Sequence, residues 1–261
     1  MKNINDYKAL AFFDLDGTLL NAKSQLDLDV VQAIHQIRAN GVLPFIATGR
    51  GNFELHDIMK QTGITGAIAM NGQYIVLDGK TIYKEEIPKS SIEKLLVAAK
   101  PHEEALSFYD GTHYWVNEMT ENARIAYDYT HMPLPNVDPT RYLNQEVNML
   151  LVLTKALSQV DYYKAQVPEL NFFKNAPSSI DVTNRDTNKG TGLRHVLEVL
   201  DFKGETFAFG DGRNDLDLLL AADHKTAMGN AVNELKSIAD FITTKNTNHG
   251  IVNAFKHWEI L

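Results

Sequence analysis

The sequence predicts an α/β fold, a doubly wound parallel sheet interrupted by an inserted α+β unit. Short apolar runs alternate with helix-period segments at both ends of the chain. Several of these runs stop at clusters of Asp, Thr, Gly or Asn. The alternation lapses between about Glu85 and Thr183 and returns after Lys189, which an insertion into one domain explains better than two tandem domains.

Ala9 to Phe13 reads as a buried strand ending in the loop Asp14-Leu15-Asp16-Gly17. Val30, Ile34 and Ile37 then recur at helical spacing, and Gly41 suits the helix stop. Val42 to Ala47 reads as a second strand ending at Thr48-Gly49-Arg50, although Pro44 inside it removes a ladder donor and fits an edge or bulge better. A helix is expected from about Asn52, a strand at Ala67 to Met70, and a hairpin turning at Asp78-Gly79 between Tyr74–Leu77 and Lys80–Tyr83.

The inserted stretch offers an amphipathic segment at Ile92–Ala98 and a turn at Asp110-Gly111 between two strand-like runs. A helix is expected from Glu118, a Pro-bearing loop from Met132 to Thr140, and the apolar run Val147 to Leu153. A further helix near Ser158 to Val167 and strands at Asn171–Lys174 and Ser179–Val182 complete it. Beyond it, Leu193, Val196, Leu197 and Leu200 share a helical face, Thr206 to Phe209 ends at Gly210-Asp211, and short strands are expected at Thr226–Met228 and Phe241–Thr243.

With 261 residues, 44% hydrophobic and 22% charged, the composition is that of an ordinary soluble protein with no sign of extended disorder. The formal charge of −8 supplies no broad basic field for a nucleic-acid backbone, so nucleic acid is not expected as a partner. An anionic substrate would need local cations or a metal. The absence of Cys removes disulfides, thiolate catalysis and Cys-based zinc sites. No run has the length of a signal peptide's apolar stretch or of a membrane span, so no membrane partner and a cytoplasmic location are expected.

Asp14 and Asp16, Thr48, and Asp211, Asn214 and Asp215 each sit just past a predicted strand, where open parallel sheets place their ligand crevice, and Lys189 begins the helix after the insertion. Taken singly, each also fits ordinary turn or cap chemistry. Together, Asp14 and Asp211 offer hard oxygen ligands suited to Mg²⁺, Thr48 and Asn214 offer hydrogen bonds to phosphoryl oxygens, and Lys189 offers a fixed positive charge. One acid of the Asp14/Asp16 pair would attack phosphorus while the other handles protons.

The segments Asp14-Leu15-Asp16-Gly17-Thr18, Thr48-Gly49-Arg50, Lys189-Gly190 and Gly210-Asp211-Gly212-Arg213-Asn214-Asp215 resemble the four ordered motifs of haloacid dehalogenase (HAD) superfamily phosphatases. Ala227-Met228-Gly229-Asn230-Ala231, Ala239-Asp240 and Asn248-His249-Gly250 resemble the tail of the Cof-type branch, with His249 where that branch usually has an acid. The resemblance implies a Rossmann-like core over 1–84 and 184–261 and an inserted cap domain over 85–183. It implies a phosphoric monoester hydrolase acting on a small phosphorylated metabolite, a sugar phosphate or similar, with Mg²⁺ as cofactor. Asp14 would be the nucleophile and Asp16 the general acid and then base. Thr48, Gly49, Arg50, Lys189 and Asn214 would bind phosphate. Asp14, Asp211, Asp215 and the backbone carbonyl of Asp16 would serve the metal, Asp215 through water.

Two other readings remain open at this point: a phosphomutase or phosphotransferase, in which a substrate hydroxyl receives the phosphoryl group, and a regulatory module whose output is phosphorylation of Asp14. Asp217 reads as surface or network rather than ligand, Asn71 as part of a turn, and the nine His residues follow no metal-ligand spacing. Phe108, Tyr109, Tyr114, Trp115, Tyr127 and Tyr129 are expected in the core of the insertion rather than on a substrate.

Overall fold

The computed structural model describes residues 4–261. The chain divides into two compact units. The first holds the chain up to Arg50, Glu54–Tyr83 and Asn188–Leu261; the second holds Lys84–Thr187 together with Gly51–Phe53.

The first unit is built on an eight-stranded sheet in the order Phe241–Ile242, His224–Ala227, Glu205–Gly210, Ala9–Phe13, Val42–Ala47, Gly66–Ala69, Tyr74–Leu77 and Lys80–Lys84. The strands from Phe241–Ile242 through Gly66–Ala69 run parallel. Tyr74–Leu77 joins antiparallel, and its hairpin turns at Asp78 and Gly79, whose φ values of 50° and 75° are those a two-residue type I′ turn demands. The central strands are buried, apart from Glu205 at the start of one, because helices cover a parallel sheet on both faces. Phe13 stacks on Phe209 across neighbouring strands at 4.6 Å, and both meet Phe255 edge-on. Burying such side chains stabilises the fold by roughly 1.5–3 kcal/mol each.

Pro44 does not break its strand. It lies opposite Ala11 on one side, whereas pairing with Gly66–Ala69 on the other begins only at Phe45. The proline thus sits where one neighbour is still missing, and the expectation of an edge or bulge gives way to that local gap in the ladder.

The second unit has a six-stranded sheet in the order Leu170–Ala176, Ser179–Asn184, Met149–Leu153, Ala105–Tyr109, Tyr114–Val116 and Asn136–Val137. Side chains alternate between its faces. Leu106, Phe108, Leu150 and Val152 pack with residues of helices Lys89–Ala99 and Val160–Gln166, while Ala105, Val116 and Leu153 pack with helix Glu121–Thr130. The Oε2 atom of Glu85 accepts from Asn184 Nδ2 and Thr187 Oγ1, tying together the two ends of the inserted stretch.

Four expectations need correction. The helix expected from about Asn52 starts only at His56, after a single 3₁₀ turn over Asn52–Glu54. Within that turn Asn52 Nδ2 donates to Gly111 O, and Phe53 stacks on Tyr109 and Tyr114, so Gly51–Phe53 belong to the second unit rather than to the core assigned to residues 1–84. The helix expected from Glu118 starts at Glu121, behind a Thr120 cap whose hydroxyl accepts from Ala123 N. The loop from Met132 to Thr140 contains a short strand, Asn136–Val137, paired parallel with Tyr114–Val116.

Candidate active site

Asp14 leaves the strand Ala9–Phe13 with its N–H on Phe209 O, at the seam between the two central strands. Asp211 leaves Glu205–Gly210, the neighbouring strand, so the parallel register itself brings the two acids side by side. Gly17 makes the approach possible. Its φ is +88°, and a Cβ there would lie 2.3 Å from Asp211 Oδ2. Gly17→Ala should therefore dislodge Asp211 and weaken any cation bound there, which a metal titration of the purified variant would read directly.

Lys189 is placed from the other side of the sequence. Helix Lys189–Leu200 opens with a reciprocal cap between Asn188 and Thr191. A Cβ on Gly190 would come within 2.2 Å of Asp217 O, so this glycine lets the helix start pack directly on helix Leu216–Ala221. The result is a fully buried ammonium whose Nζ lies 2.6 Å from Asp14 Oδ1 and 2.7 Å from Asp215 Oδ1. Asp215 is the hub: its other oxygen, Oδ2, accepts from the backbone N–H groups of Asp211 and Gly212.

Asp14, Asp211 and Asp215 each present a carboxylate oxygen within 4.8 Å of the others. Burial, and behind it the Asp215 charge, push the Asp14 carboxyl well above the usual carboxylate range, against the pull of Lys189. The same two causes raise Asp211 to about 6, opposed by the hydroxyl of Thr18 and the Lys189 charge. Burial would lower the Lys189 pKa, but Asp14 and Asp215 outweigh it and keep the ammonium protonated. Three clustered acids with one lysine leave surplus negative charge, and an oxygen-only donor set is what Mg²⁺ takes. The residues therefore fit a divalent cation.

In the metal-free chain the raised carboxyls hold extra protons relative to the unfolded state. The stability they contribute is full below the ordinary carboxylate range and is lost as pH rises, through about 6 for Asp211. A cation that binds the ionised form reverses that trend. Its affinity should tighten about fourfold between pH 5.5 and 7.5 from Asp211 alone, and calorimetric titration at the two pH values checks this.

Thr48 is buried past the end of Val42–Ala47, with its N–H on Ile68 O and its Oγ1 accepting from Arg50 N. Asn214 lies in the 3₁₀ turn Arg213–Asp215, and Gly49 in the bend between Thr48 and Arg50. Asp217 is exposed and stands apart from the acidic cluster, as expected.

Arg50 grips Asp16, a pairing that no motif or spacing announces. Its Nε lies 2.9 Å from Asp16 Oδ2 and its second guanidinium nitrogen 2.5 Å from Oδ1, a two-pronged pair on a carboxylate whose side chain is 55% exposed. Burial would lower the Arg50 pKa, yet Asp16 raises it above its ordinary value. Thr18 and Asn230 were also missed: Thr18 Oγ1 donates to Asp211 Oδ1, and Asn230 Nδ2 to Asp211 Oδ2. Thr18 stood inside the first motif and Asn230 inside the Cof-like tail, but neither bore a role.

Residues 11–255 match the haloacid dehalogenase-like hydrolase family. The chain belongs to that family. It is 32% identical to YkrA of Bacillus subtilis over 97% of this chain and 98% of that one. Among solved structures it resembles the HAD phosphatase BT1666 of Bacteroides thetaiotaomicron, with 29% identity, a TM-score of 0.88, and 98% and 96% of the two chains covered. It equally resembles the HAD subclass IIB sugar phosphatase BT4131, with 29% identity, a TM-score of 0.86, and 97% and 100% covered. The α/β core with an inserted cap and the reading as an HAD-type phosphatase, both expected from the motifs, hold. Among the described residues no helix is long and apolar enough to cross a membrane.

Proposed function

We propose that this chain is a Mg²⁺-dependent phosphatase that hydrolyses a small phosphorylated metabolite, a sugar phosphate or similar, through a phospho-aspartate on Asp14. What supports this reading is the cluster of buried Asp14, Lys189 and Asp215 with half-buried Asp211, which would supply a nucleophile, a fixed cation and oxygen ligands for a divalent cation at one set of strand tips. The sugar phosphatase BT4131 among the similar structures supports the substrate class.

The carboxylates of Asp14 and Asp211 and the backbone carbonyl of Asp16 would hold Mg²⁺, with Asp215 supporting the shell through water; the cation screens the repulsion between carboxylate and phosphate. Asp14 attacks phosphorus, forming an acyl-phosphate bond as the ester bond to the leaving oxygen breaks. Asp16 protonates that oxygen, then takes a proton from the water that attacks the phospho-aspartate and returns Asp14. Lys189, Thr48, Asn214, Gly49 and Arg50 bind the phosphoryl oxygens, where charge must be stabilised in place.

Arg50 has a second part in this scheme, because its fork orients Asp16. Lysine keeps the charge but loses the fork. Arg50→Lys is expected to slow the first step, release of the leaving group in a single turnover, about tenfold on a sugar phosphate and less than twofold on an aryl phosphate, whose leaving group needs little protonation. An equal loss on both substrates would assign Arg50 to phosphate binding alone.

The overall reading is tested by phosphate release from a panel of phosphorylated metabolites with Mg²⁺ and after chelation. Full activity without metal would remove the cation from the account. A phosphorylated isomer accumulating without free phosphate would make the chain a mutase.

A further inference from the structure

Asp211 is held by more than its acidic neighbours. Asn230, from the loop after strand His224–Ala227, donates from one amide nitrogen to two acceptors, Gly17 O at 2.8 Å and Asp211 Oδ2 at 3.2 Å. Its amide cannot be turned round. Oδ1 accepts from the backbone N–H of Asn246 at 3.0 Å, and a flipped amide would set oxygen against the Gly17 carbonyl and the Asp211 carboxylate.

Asn246 extends the chain of hydrogen bonds. Its Nδ2 donates to Leu20 O at 2.8 Å, and Leu20 forms an isolated bridge with Asp16. The loop carrying Gly17 and the loop carrying Asn246 are thus tied to each other through Asn230, and the Gly229 N–H on Thr244 O braces the pair. Thr18 holds the other oxygen of Asp211, so both of its oxygens are oriented from outside the acidic cluster.

We propose that Asn230, locked by Asn246, is the positioning residue of the cation site, fixing the Asp211 carboxylate against the nucleophile's loop so that the site selects Mg²⁺ over Ca²⁺. The proposal rests on the metal reading given under Proposed function. Mg²⁺ demands near-octahedral ligands at short distance, whereas Ca²⁺ takes more ligands at longer and looser ones. A carboxylate pinned at both oxygens favours the strict ion, and one free to swing favours the tolerant ion. Asn246 acts at one remove: its backbone N–H sets the amide, and only its side chain is lost on substitution.

The experiment titrates Mg²⁺ and Ca²⁺ separately into the full-length, metal-stripped protein by calorimetry, without substrate. Asn230→Ala is expected to weaken Mg²⁺ by roughly 10–100-fold, the range for lost partners of metal ligands, and Ca²⁺ by less than about threefold on the same coordination argument. Asn246→Ala keeps the backbone donor and should weaken Mg²⁺ far less. A merely structural role would lower the melting temperature of the metal-free protein and leave the Mg²⁺ to Ca²⁺ ratio unchanged, which would overturn the proposal. If Asn230→Ala melts too early to titrate, Asn230→Ser, too short to reach both acceptors, decides by the same ratio. Wild-type protein that takes up Mg²⁺ no better than the variant overturns the assignment of Asn230 alone; wild-type protein that takes up no Mg²⁺ overturns it together with the metal reading.

Discussion

Asp14→Asn and Asp16→Asn are expected to fail at different steps. On a sugar phosphate both lose activity, the first to background and the second by roughly 10²–10⁴-fold, the usual scale of general acid–base help. An aryl phosphate separates them. Its leaving group departs without much protonation, so Asp16→Asn should release a burst of phenol and then stall as phosphorylated enzyme, because no base activates the water for the second step. Asp14→Asn should show no burst. Stopped-flow absorbance with a quenched sample for bound phosphate reads both. A burst from Asp14→Asn, with phosphate on another side chain, would reassign the nucleophile.

Lys189→Met should be the most damaging single change to stability, and it should slow turnover as well. The ammonium is fully buried between Asp14 and Asp215, and removing it leaves two carboxylates facing each other without a counter-charge. Breaking a buried ion pair by deleting one partner costs about 3–5 kcal/mol, and losing one fixed donor to the transition state costs about 10²–10³ in rate. Urea unfolding of the metal-free proteins measures the first and kcat the second. Acidification should narrow the stability gap, because protonating the raised Asp14 carboxyl relieves the same repulsion. A gap that stays constant with pH would mean that Lys189 acts through packing alone.

Much of this site could be read in the chain because parallel-sheet logic is local. An apolar run followed by Asp or Thr marks a strand tip, and the C-terminal tips of parallel strands lie along one edge of the sheet, so the sequence alone puts Asp14, Thr48 and Asp211 on the same edge. Lys189 followed from its position at a helix start. What escaped has a common cause in contacts between residues far apart in sequence. Arg50 and Asp16 lie 34 positions apart, and Asn230 lies 213 from Gly17; neither pairing leaves a periodicity or spacing behind. Phe53 looked like the opening of a core helix because its own sequence does not record the rings of Tyr109 and Tyr114 on which it stacks. Pro44 misled in the opposite direction, since its tolerance depends on where the neighbouring strand begins.

The central claim, a covalent intermediate on Asp14, is met most directly by trapping it. Asp16→Asn protein mixed with an aryl phosphate and Mg²⁺, quenched in acid within the burst and digested, should yield one modified peptide. Fragmentation should place a single phosphoryl group on Asp14, with none on Asp16, Asp211 or Asp215, and the label should be absent when Mg²⁺ is omitted. A phosphoryl group on any other side chain, or a burst of phenol with no phosphorylated peptide at all, would contradict the account.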